Sequence, residues 1–220
     1  MTIITRPGAI PFAVALLATT APFNASAQEA RLVGRLPDAI RVEVDGVLDS
    51  AGAGGLPTEP LVDRALEGAA KGAPGNLIVS AVRRLWGELR TAHSAFGDDA
   101  SPGELTAGAS ALRAGATRDD LAQLRALRPE QPLTIAAATL ADLVAVGVPA
   151  DTAVGAVLAL ADDMGDAAYI AFRRNVERDI ALGASPEAAL GVRLAAAADA
   201  ASAGAETTGT GSTTSPRRKP

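Results

Sequence analysis

Cysteine is absent from the sequence, and histidine occurs once, at His93. Without cysteine there is no disulfide, no thiolate nucleophile and no thiolate-bound metal. With one histidine, no multi-histidine metal site can form, and a Ser-His-Asp triad has a single candidate base. Aromatics are also scarce: one Trp, one Tyr and four Phe in 220 residues. A core without large rings and rich in alanine suits closely packed helices better than a sheet. Positive charge is short as well. The net charge of −5 argues against a nucleic-acid binder, which would need a basic face. No phosphate loop, dinucleotide fingerprint, nucleophile elbow or zinc motif is present, and no cofactor or metal is expected.

What the chain does have is punctuation. Gly-Leu-Pro stands at 55–57, Gly-Ala-Pro at 72–74, Gly-Ala-Thr at 115–117, Gly-Val-Pro at 147–149 and Gly-Ala-Ser-Pro at 183–186. Glycine just past a helix end takes the left-handed conformation at no side-chain cost. Proline at the start of the next helix has a suitable φ and lacks an N–H that would be unpaired anyway. Ser101 with Glu104, and Thr117 with Asp120, have the spacing of reciprocal helix caps. Each junction separates apolar runs of helical period. The fold class that follows is all-α: an irregular bundle or short superhelical array of about eight or nine short helices, ending in a disordered tail.

The organisation reads in three parts. Residues 1–27 have the form of a secretory signal peptide. Arg6 is their only charge, Ile10 to Phe23 is mostly apolar, and Ala25-Ser26-Ala27 is a small-residue cleavage site. The mature chain is then expected to start at Gln28 and to be periplasmic or secreted, with no transmembrane segment left after cleavage. Residues 28–201 are expected to form one α-helical domain. Residues 202–220 are rich in Ser, Thr, Gly and Ala and end Arg217-Arg218-Lys219-Pro220; they are expected to be disordered.

Within the domain, 28–37 reads as a polar lead-in. Helices are expected at 38–51, 58–71, 75–96, 102–114, 118–127, 131–146, 149–163, 165–182 and 186–201. The longest stripe is Ile78, Ala81, Val82, Leu85, Leu89, Ala92 and Phe96. Tyr169, Phe172, Val176 and Ile180 form a later one. Helix starts at 102, 117, 132, 149, 165 and 186 recur at similar spacing, as in arrays that use one helix pair per repeat. The tetratricopeptide pattern is absent.

Several residues are candidates for chemistry. Asp162-Asp163-Met164-Gly165-Asp166 is the densest acid cluster; paired carboxylates can hydrolyse glycans, although these acids bracket a helix junction, where Asp166 is placed to cap. Asp98-Asp99 and Asp119-Asp120 stand at helix starts in the same way. His93 suits a helix C-terminus. Arg83-Arg84 and Arg173-Arg174 are basic pairs that can meet phosphates or pair with acids on their own faces. Arg217, Arg218 and Lys219 can make weak, salt-sensitive contact with an anionic surface. Trp86 and the Tyr169-Phe172 pair are the large side chains expected to anchor a partner. The function expected from this set is a non-catalytic scaffold or adaptor that binds another envelope protein through a helical face. A cell-wall or glycan hydrolase using paired carboxylates is the alternative.

Overall fold

A computed structural model describes residues 31–162 and 164–208, with side chains described as far as residue 200. The signal-like segment 1–27, Asp163 and residues 209–220, with Arg217, Arg218 and Lys219, lie outside the described residues.

The described chain is all-helical, with no strand. Its helices are α1 (Asp38–Ala53), α2 (Glu59–Ala70), α3 (Gly75–Phe96), α4 (Pro102–Ala114), α5 (Arg118–Leu127), α6 (Thr134–Ala145), α7 (Ala150–Ala159), α8 (Asp166–Ala181) and α9 (Pro186–Thr208). Three of them, α3, α4 and α5, have the bounds that the sequence predicts, and all three are flanked by capping or glycine signals. Ser101 caps α4 and Thr117 caps α5, each completing its reciprocal pair with Glu104 or Asp120. Gly115 closes α4 at φ 114°. A Cβ there would also lie 2.8 Å from the Ala150 methyl. Both the backbone turn and the close approach of α7 therefore call for glycine.

The other six helices shift by one to seven residues at one or both ends, and four differences from the sequence reading bear on the packing. The segment ahead of α1 is not merely polar: Leu32 and Leu36 are buried in the core, one helical turn apart. Arg31 adds ion pairs to Glu59 and Asp63 that fasten this segment to α2. Helix α6 starts at Thr134 rather than 131, because Pro132 ends the preceding turn and Leu133 is its buried cap residue. Helix α7 stops at Ala159, and the carbonyls of Ala161 and Met164 turn instead to the Arg128 guanidinium. Helix α9 runs on to Thr208, past the tail boundary at 202. Its alanine-rich sequence has high helix propensity, and the isolated Ser and Gly do not outweigh it.

The packing follows chain order. The substantial contacts join each helix only to its first or second neighbour along the chain. The odd-numbered helices form one row: α1 on α3, α3 on α5, α5 on α7, α7 on α9. The even-numbered ones form a second row, α4 on α6 and α6 on α8, with α4 against α6 the most extensive contact of all. Cross-row contacts such as α2 on α3, α3 on α4 and α8 on α9 close the sandwich. This is the pattern of a short superhelical array, in which each unit is stabilised by its neighbours. One link is missing from the even row: α2 makes no comparable contact with α4.

Small residues set the helix spacing. Gly108 in α4 is buried, and a Cβ on it would lie 2.7 Å from the Phe96 ring and 3.0 Å from the Ala92 methyl of α3. Its absence lets the two helices approach. A continuous apolar core runs from Leu32 to Leu190. It holds most of the expected stripe residues, with Ile180 at its edge and Ala81 half-buried.

Candidate functional site

The missing α2–α4 contact leaves an open groove of about 590 Å³. Pro57, Pro60 and Asp63 form one wall, at the start of α2. Gly103, Thr106, Ala107 and Ser110 of α4 face them, and Thr134, Ala138 and Ala141 of α6 continue the surface to Asp142. Small and apolar side chains dominate this lining. Helices α4 and α6 make the most extensive helix contact, and at the groove a Cβ on Gly103 would sit at ordinary contact distance, 3.5 Å, from the Thr134 hydroxyl.

The polar groups of the groove are already occupied in ways that decide its chemistry. The Thr106 hydroxyl donates to the Pro102 carbonyl at 2.8 Å, and the Ser110 hydroxyl donates to that of Thr106 at 3.0 Å. Neither has a base beside it, so neither is set up as a nucleophile. Asp63 accepts from Arg31 at 2.8 Å, and Asp142 accepts from Arg173 of α8. Each carboxylate has acceptor sites to spare. Glu59, also in the lining, accepts from Arg31 as well, so the groove offers an apolar floor with two acids on the α2 side and Asp142 on α6.

Beside the groove, Glu104 joins three helices. Its Oε2 accepts the Ser101 N–H and hydroxyl, both at 2.8 Å. Its Oε1 accepts from Arg125 of α5 at 2.8 Å and from the Leu133 N–H, at the start of α6, at 2.9 Å. Burial alone would raise its pKa. The donors from Ser101, Leu133 and Arg125 outweigh that and hold it down at about 2.

Arg128, 1% exposed, does similar work at the other end of the even row. Its guanidinium donates to the carbonyls of Ala161, Met164 and Pro132 and to Asp166, and lies 5.4 Å over the Tyr169 ring. A planar fork with five donors meets this scattered set where a lysine could not. Nothing in the sequence pattern singles this residue out, apart from its place directly before a proline-rich turn.

The residues expected to anchor a partner stand as follows. Tyr169 is fully buried and Phe172 nearly so. The Tyr169 hydroxyl donates to the Val157 carbonyl at 2.7 Å, and burial pushes its pKa up to about 12. Both rings are core, so neither presents a surface to a partner. Trp86 lies at the core edge, half-buried, with the Arg90 guanidinium 5.3 Å over its ring. None of the three lines the groove.

The acid cluster disperses. Asp162 is exposed, and Asp166 is held by Arg128. Gly165 rather than Asp166 takes the cap position of α8, leaving Asp166 in the first turn, where the helix dipole favours an acid. No group of three or more His, Asp or Glu able to hold a metal occurs among the described residues. His93 stands in the last turn of α3, 3.6 Å from Asp98. No described helix is long and apolar enough to cross a membrane.

No protein family, curated protein or solved structure matches this chain.

Proposed function

We propose that the chain is a non-catalytic adaptor of the cell envelope, and that it seats a segment of another envelope protein in the groove between α2, α4 and α6. The observation that carries this reading is the open gap in the even row, lined mainly with small apolar residues and carrying the carboxylates of Glu59 and Asp63 on one side and Asp142 on the other. A helix packs against small residues at close range, and an extended segment rich in small side chains fits the same floor. A basic residue near either end of that segment would meet a carboxylate. The signal-like first 27 residues support an exported location. The paired-carboxylate alternative has no such observation behind it, since Asp162 is exposed and Asp166 is spent on Arg128.

The test uses the chain from Gln28, which contains every described residue, as bait for detergent-solubilised envelope from the source cell. Ala141, on the partly exposed groove wall, is changed to Arg to fill the groove without entering the core. A stoichiometric protein partner held by the parent chain and lost with Ala141→Arg is expected. A partner retained equally by both forms would put the binding surface elsewhere.

A further inference from the structure

The basic pair Arg83-Arg84 divides its work. Arg83 bonds to Glu43 of α1 at 3.0 Å. Arg84 has no partner among the described residues and lines a second groove of about 320 Å³ with Arg64 of α2 and Arg113 of α4. Leu77, Ser80 and Ala81 of α3 form the rest of its lining. Three arginines from three helices therefore line one depression of a chain whose net charge is −5.

Two of the three are held in place. Arg64 bonds to Glu67 at 3.0 Å through one terminal nitrogen, and Arg113 bonds to Glu88 through one terminal nitrogen. Each keeps donors for a further acceptor. Glu67 is shared with Lys71 at 2.6 Å, so the three lining arginines have two carboxylates between them, and one of these also serves a lysine. Neither carboxylate is part of its lining.

We propose that Arg64, Arg84 and Arg113 form a binding site for a phosphate-class anion, distinct from the partner groove. Convergent forks suit an anion with several oxygens on different sides; a carboxylate, with two oxygens in one plane, would satisfy fewer of them. The Ser80 hydroxyl adds a donor. Leu77 is 56% exposed beside the groove and gives an apolar neighbour to whatever carries the phosphate. That carrier is a lipid headgroup or a soluble phosphate compound, and the chemistry of recognition is the same.

Two probes separate the sources. Inorganic pyrophosphate is titrated calorimetrically into the chain from Gln28, and the same protein is sedimented with vesicles of phosphatidylglycerol in phosphatidylcholine. Arg84→Glu is the test variant, since Arg84 has no bond to lose. Arg174→Glu is the control: it makes the same charge change at an exposed arginine of α8 that also lacks a partner among the described residues. Binding to either probe that falls at least tenfold in Arg84→Glu, and about twofold or less in Arg174→Glu, is the expected result. A response to pyrophosphate alone assigns a soluble phosphate, and a response to vesicles alone assigns a headgroup. No binding of either probe by the parent chain overturns the proposal, as does an equal loss in the two variants.

Discussion

Glu104 accepts the backbone N–H of Leu133 at 2.9 Å. The carboxylate that completes the cap of α4 is therefore also the acceptor that starts α6. Both helices line the partner groove, so one ionised side chain helps to fix their relative position there.

That dependence has a sign. The folded state holds Glu104 at about 2, against an ordinary value of 4.5. The group thus contributes stability that is fully present above about pH 5 and is lost as pH falls towards 2. The contribution is up to about 3 kcal/mol. Chemical denaturation from pH 7 to pH 3 should show this loss in the parent chain. Glu104→Gln should be less stable than the parent at pH 7 by about 2 kcal/mol, because an amide NH2 faces N–H donors. Its own stability should also fall less on acidification. Parallel pH profiles for the two proteins would contradict the assignment.

Tyr169 is the only tyrosine, so its ionisation can be read directly by ultraviolet absorbance. Burial raises its pKa to about 12; nearby Arg128 lowers it and Asp166 raises it, and burial wins. The tyrosinate band should appear near pH 12 in the folded chain and near pH 10 in denaturant. A native titration centred at 10 would mean that the ring is not in the core.

The two strongest local signals were legible at residue level. Ser101 with Glu104, and Thr117 with Asp120, identify the starts of α4 and α5 because capping chemistry lies within four residues of chain. Gly97 and Gly115 mark ends for a similarly local reason. Burial at Leu32 and Leu36 was available as an i, i+4 pair but was masked by the arginines and glycine around it. The groove was not legible: it arises from a contact that α2 and α4 do not make, and helical period carries no information about that. Nor was the second use of Glu104, since Leu133 is distant in sequence and becomes a partner only when α4 meets α6. Tyr169 and Phe172 show the reverse limit. Large side chains on a stripe read alike whether they face a core or a partner.

Glycine substitutions test the packing of the array. Gly87, inside α3, has open space where a Cβ would go. Gly87→Ala should stabilise the chain by about 0.5–1 kcal/mol through the unfolded state and helix propensity. At Gly108 the same change drives a methyl into the Phe96 ring, and overpacking there costs roughly 1–3 kcal/mol. Gly108→Ala should therefore have the lower melting temperature of the two, below that of the parent. A gain at both positions would mean that α3 and α4 are farther apart than described.

The most direct measurement places a photo-reactive phenylalanine analogue at Ser110, in the groove, and in a second protein at Arg174, on α8. Both proteins are expressed in the source cell and irradiated. The account predicts one discrete protein adduct from position 110 that is absent from position 174 and disappears when Ala141→Arg is added. Adducts at 174 but not at 110, or an adduct at 110 that persists with Ala141→Arg, would contradict the adaptor groove.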